Sequence, residues 1–177
     1  MTLLFTGLIA LTACVPDDVT DDTSGTDDTA AADDTATDDT GTGEQTLVGD
    51  WSSTGDDISA LFSGAPFRYT ALTATFNGDG SYTVVGEAES GSYTFTGTYV
   101  ADTTTDPHSI VLTQTSPSAA TAEGIYALED AGDTLRYEVV QTVPDYGFVP
   151  PTPATGFGST SGGELEAGVN VQVYRRQ

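Results

Sequence analysis

From Trp51 onward the chain alternates. Tyr93, Phe95, Gly97 and Tyr99 fall two residues apart, and so do Ile110 and Leu112 against Val111 and Thr113. A period of two sends successive side chains to opposite faces of an extended strand, and no comparable helical pattern accompanies it. Eight strands are expected: Leu47–Thr54, Phe67–Asn77, Ser81–Glu87, Ser92–Val100, His108–Thr115, Glu123–Leu128, Thr134–Gln141 and Val169–Arg176. Gly78-Asp79-Gly80 suits a tight hairpin, because glycine takes positive φ without a Cβ clash. Glu129-Asp130-Ala131-Gly132-Asp133 joins the sixth strand to the seventh. Asp56–Phe62 is expected to form a single helical turn. Thr142–Gly168, rich in proline and glycine, reads as a long loop that either caps a barrel mouth or offers a docking edge.

Short strands at this spacing predict an all-β fold, an eight-stranded antiparallel meander closed into a barrel over residues 47–177. Closure removes exposed edges and leaves an interior just wide enough for side chains or one small ligand. Such a barrel must stand on its core alone, because Cys14 is the only cysteine and no intramolecular disulfide can form. A domain of roughly 130 residues buries about two-thirds of its unfolded surface, which is enough.

Ahead of the barrel the pattern is different. Residues 15–45 carry eleven acids and no base, with Asp-Asp pairs at 17–18, 21–22, 27–28, 33–34 and 38–39 spaced by Thr, Ala, Gly and Ser. The stretch has no aromatic residue to offset the entropy of ordering, so residues 14–46 are expected to be a disordered tether that like charges keep extended. A fixed calcium turn is not expected, because Asp-x-Asp-x-Asp-Gly spacing is absent. Over the whole chain acids outnumber bases 27 to 4, which repels phosphate backbones and excludes nucleic acid as a partner class.

The apolar run of residues 1–13 is too short to span a bilayer, which needs about 20 residues, and suits the core of a secretory signal. Leu11-Thr12-Ala13-Cys14 resembles the lipobox of bacterial lipoproteins. That resemblance implies cleavage before Cys14, acylation of its thiol, and a lipid-anchored place in the cell envelope, at the outer membrane. More than one acyl chain would make the anchorage durable. The family's basic residues before the apolar run are missing here.

Gly49-Asp50-Trp51 resembles the Gly-x-Trp signature of lipocalins, in which the tryptophan plugs the closed barrel end beside an arginine of the last strand. Gly49, Trp51 and either Arg175 or Arg176 would fill those roles. The second lipocalin signature, a Thr-Asp-x-Tyr-like turn, is absent. Residues 47–177 are more similar to bacterial lipocalin-like domains of uncharacterised function. Pro107-His108-Ser109-Ile110-Val111-Leu112-Thr113, Gly124-Ile125-Tyr126-Ala127-Leu128, Gly132-Asp133-Thr134-Leu135 and Val173-Tyr174-Arg175-Arg176 carry the likeness.

No catalytic constellation is expected. His108 is the only histidine and adjoins Pro107 at a strand entrance, so it reads as a turn or rim residue; with no second histidine and no free thiol, zinc ligands are missing. No Gly-x-Ser-x-Gly elbow presents a nucleophile, and carboxylate pairs such as Glu87/Glu89 and Glu164/Glu166 read as solvated faces among many acids. No metal and no cofactor are expected. Tyr69, Tyr82, Tyr93, Phe95, Tyr99, Tyr126 and Tyr137 are the candidate lining of a cavity for a small apolar or amphipathic ligand. The rival expectation is a filled core in a structural or protein-interaction module.

Overall fold

A computed structural model describes residues 45–163 and 165–177. The expected signal segment, Cys14 and all but the end of the tether lie outside the described residues, as does Glu164.

Eight strands run in chain order: β1 Gly49–Thr54, β2 Tyr69–Phe76, β3 Ser81–Ala88, β4 Gly91–Asp102, β5 His108–Ser116, β6 Ala120–Glu129, β7 Thr134–Val143 and β8 Gln172–Arg176. Each pairs antiparallel with its sequence neighbours, and β1 also pairs with β8, which closes the barrel. The register follows the alternation read from sequence. Trp51 faces Ala74 across β1–β2 and Arg176 across β1–β8, Val84 faces Phe95, and Tyr126 faces Tyr137. All of these project inward, and the intervening residues project outward.

The connections sort to two ends. At one end lie the β2–β3, β4–β5 and β6–β7 turns. The Asn77 amide donates to the Ser81 carbonyl at 2.9 Å there, Gly80 sits at φ +83°, and Asp79 Oδ1 accepts from the Ser81 amide at 2.9 Å. At the other end lie the β3–β4 and β5–β6 turns and two longer connections. The β1–β2 connection holds a 3-10 turn, Gly55–Asp57, and one α-turn, α1 Ala60–Ser63, close to the single turn expected. Ile58 and Ser59 of this connection are buried over β1 and β8, where the Ser59 amide donates to Gln172 Oε1 at 2.9 Å.

The second half of the β7–β8 connection lies against the barrel's outer wall. Ile125 and Glu138, directly paired and outward-facing, are both 0% exposed because residues 155–160 cover them. Phe157 lies under the Arg136 guanidinium at 4.4 Å, on the same outer face. The loop holds itself with a Val149–Ser161 bridge and leaves Tyr146 and Val149 exposed.

Candidate functional site

The interior has a plugged half around Trp51 and a half whose inward side chains are less deeply buried. Trp51 fills the plugged half at 1% exposure, its indole Nε1 donating to the Leu47 carbonyl at 2.9 Å. The Arg176 guanidinium lies over its ring at 4.2 Å, a cation–π contact that a buried site strengthens. Arg176 also donates to the carbonyls of Gly132 (2.8 Å), Val48 (3.1 Å) and Thr46 (2.8 Å), tying the chain entering β1 to the β6–β7 turn. Gly49 leaves the necessary room: a Cβ at that position would come within 2.7 Å of Arg176 Nη1. Of the two arginines, Arg176 therefore meets the tryptophan. Arg175 points outward and forms a two-pronged bond with Asp57, 3.0 Å on each side. That contact lowers the Asp57 pKa, chiefly through the hydrogen bond. Phe76, Ile110, Leu112, Leu135 and Tyr174 complete the plugged core around Trp51.

The seven candidate lining residues divide. Tyr82 and Tyr126 are buried in the core, and Tyr99 is half-buried against Phe76, with ring centroids at 5.2 Å. The Tyr99 hydroxyl donates to the Asn77 carbonyl at 2.9 Å, so it belongs to the closed end. His108, half-buried at the same end, sets its ring edge against Tyr126 at 5.0 Å, and its Nδ1 contacts the Thr105 carbonyl. Tyr69 is buried at the other end, in a rim cluster with Phe62, Phe67 and Tyr93. Tyr93, expected inside, is 38% exposed: it sits on the inward register, but so near the strand's end that the wall no longer encloses it.

Phe95 and Tyr137 belong to the less deeply buried half. On β3 to β7 the inward side chains of Val84, Phe95, Ala122, Tyr137 and Val139 beyond the plug are half-buried, while Gly86 and Gly124 between them are buried. Gly97 and Gly124 let neighbouring strands approach closely: a Cβ would come within 2.1 Å of the Thr113 carbonyl oxygen and 2.0 Å of the Glu138 carbonyl oxygen. On the opposite side the mouth is closed by the β1–β2 connection, where Gln172, 1% exposed, donates to Ser53 Oγ and to the Asp57 carbonyl at 2.8 Å.

Tyr137 lies deep in the barrel. Burial pushes its pKa well above the usual value, with Tyr174 and Tyr82 adding to the effect. Burial raises the Tyr174 pKa too, and it lifts Tyr126 to about 12. Among the described residues the hydroxyls of Tyr82, Tyr126, Tyr137 and Tyr174 make no hydrogen bond. The atoms both sealed and unpartnered there are Ser59 Oγ and Asn170 Oδ1, none of them a tyrosine oxygen. These hydroxyls are donors without a protein acceptor.

One buried group escaped the sequence reading. Glu138 accepts from the Gly158 amide (2.5 Å), the Thr160 amide (3.1 Å) and Thr160 Oγ1 (2.6 Å), and no cation pairs with it among the described residues. Asn170 extends the network, donating to Thr160 Oγ1 at 3.1 Å and to the Val139 carbonyl at 3.3 Å. The donors all come from the β7–β8 connection, so Glu138 is a clasp. No group of metal-ligating side chains occurs among the described residues. No protein-family model, curated protein or solved structure matches this chain.

Proposed function

We propose that the chain is a lipid-anchored cell-envelope protein whose barrel is lipocalin-like. The less deeply buried half of that barrel binds a small apolar or amphipathic molecule without transforming it. The observation that carries this reading is the half-buried inward surface of Val84, Phe95, Ala122, Tyr137 and Val139 beside tyrosine hydroxyls that lack acceptors. Apolar walls with a few convergent donors favour a guest with an apolar body and one carbonyl or ether oxygen. Desolvation keeps the tyrosines neutral, so they donate hydrogen bonds and offer no charge. The Gly49, Trp51 and Arg176 arrangement matches what the lipocalin resemblance implies for a closed end.

The anchor rests on Leu11-Thr12-Ala13-Cys14 and is tested separately. A clickable palmitate should label the wild type and not Cys14→Ser; equal labelling of both refutes it. For the pocket, native mass spectrometry of the whole chain purified from its producing cell should show an added mass that is reduced in Tyr137→Phe. A spectrum with acyl chains alone, together with no response to a lipid and metabolite panel, favours the rival reading of a structural module. The tightly filled plugged half is the observation on that side.

A further inference from the structure

Basic side chains are few in this protein, four arginines among 27 acids. Three are committed. Arg136 lies over Phe157 and reaches Glu129 at 4.0 Å, Arg175 grips Asp57, and Arg176 closes the plugged end. Arg68 alone makes no ion pair and no side-chain hydrogen bond among the described residues. It stands on a backbone at φ +54°, a conformation uncommon for a side-chain-bearing residue, with its amide fixed to the Gly64 carbonyl at 2.9 Å. It lines a cleft of about 370 Å³ on the outer lip of the barrel, with Ser63, Ala65, Tyr69, Thr70 and Glu89.

The polar groups of this cleft have a definite sense. Ser63 Oγ already donates to the Ser59 carbonyl at 3.0 Å, and Thr70 Oγ1 to the Glu87 carbonyl at 3.2 Å. Both therefore present lone pairs outward. With the Glu89 carboxylate they make one side a set of acceptors, while Arg68 supplies five donors and a positive charge. Arg68 and Glu89 do not pair with each other. A simple anion would leave Glu89 unused and repelled, and a simple cation would do the same to Arg68. A molecule carrying both charges engages both walls.

We infer that this lip cleft is a binding site for a small amino carboxylate, whose carboxylate meets the Arg68 guanidinium and whose ammonium meets Glu89 and the two hydroxyl oxygens. The site is distinct from the barrel interior and stands whether or not the interior takes a guest. A bidentate guanidinium–carboxylate bond sets the orientation. The volume exceeds the roughly 300 Å³ at which small-molecule pockets begin.

The test uses the full chain and the probe series glycine, 4-aminobutyrate and 6-aminohexanoate, with hexanoate and hexylamine as singly charged controls. Binding is followed by the Arg68 Nε–Hε resonance and by calorimetry. At least one zwitterion should bind fivefold or more tightly than either control, and Arg68→Gly and Glu89→Gln should each abolish that advantage. Glycine adopts the left-handed backbone at position 68 without strain, so Arg68→Gly keeps its melting temperature, and Glu89 is exposed, so Glu89→Gln folds. Equal affinity for zwitterion and controls, survival of the advantage in either variant, or no shift of the Arg68 signal with any probe at 20 mM overturns the assignment. Tyr137→Phe should leave this binding unchanged.

Discussion

Glu138→Gln removes one negative charge from the outer wall of β7 with little change in volume. In the native chain three donors converge on the carboxylate, the Gly158 amide on one oxygen and the Thr160 amide and hydroxyl on the other. Hydrogen bonds to a charged acceptor stabilise by about 1.5–3 kcal/mol each. These three share one loop and do not add independently. A glutamine keeps one carbonyl oxygen, which can serve both Thr160 donors. Its NH₂ then faces the Gly158 N–H, donor against donor, at a position 2.5 Å from the original oxygen. The expected loss is one charge-assisted bond plus one unpaired buried donor, about 2–4 kcal/mol. Glu138→Ala strips all three acceptors and opens a cavity, for about 4–5 kcal/mol. Urea unfolding of the full chain, followed by Trp51 fluorescence and far-UV circular dichroism, measures both variants. Amide exchange at Gly158 and Thr160 reports whether the loop opens before the barrel does. A Glu138→Gln variant within about 0.5 kcal/mol of wild type, as ordinary surface changes are, and with unaltered exchange at those amides, refutes the clasp.

Four further outcomes follow from the same geometry. Gly97→Ala places a Cβ 2.1 Å from the Thr113 carbonyl oxygen, so β4 and β5 must part; a loss of at least about 2 kcal/mol is expected in chemical denaturation. Trp51→Ala empties the plugged end and should cost about 3–5 kcal/mol, read as a lower urea midpoint. Asp57 has its pKa lowered below the usual 3.8 by Arg175, so its contribution is present above that value and lost as pH falls through the lower folded one. Asp57→Asn should flatten the acid limb by less than about 1 kcal/mol, since the pair is partly exposed. The tyrosine pKa values move the other way: Tyr126 rises from 10.0 to about 12 in the folded state, so stability is full below 10.0 and falls as pH climbs toward 12. Absorbance at about 295 nm should show Tyr126, Tyr137 and Tyr174 ionising with unfolding and not before it.

Much of this fold was legible because alternation and turn chemistry are local. Tyr82 to Tyr99 and Leu112 to Tyr137 keep strict inward parity, and each expected strand overlaps an observed one, with ends off by a few residues. The tryptophan near the start and the arginine near the end also announced their meeting, although parity at a strand terminus could not choose between Arg175 and Arg176. Register decides it: Trp51 pairs with Arg176 and Ser52 with Arg175. The course of the β7–β8 connection was not legible. Its prolines and glycines say that it is a loop and nothing about which wall it covers. Glu138 was hidden for that reason. On an outward parity position among 27 acids it looks like solvated surface, and only the returning loop makes it a buried acceptor. Tyr93 shows the converse limit, since parity gives a direction but not how far the wall extends beyond it. Arg68 was detectable only through scarcity, as a base in an acidic chain that finds no acid to pair with among the described residues.

Dissolved oxygen enters any apolar space a small guest can reach, and it broadens the methyl resonances it touches. Under oxygen pressure the methyl groups of Val84, Ala122 and Val139 should relax markedly faster, while those of Ile110, Leu112 and Leu135 around Trp51 stay protected. Uniform protection across both sets would mean a solid barrel with no room for a guest, and the binding function would fall with it.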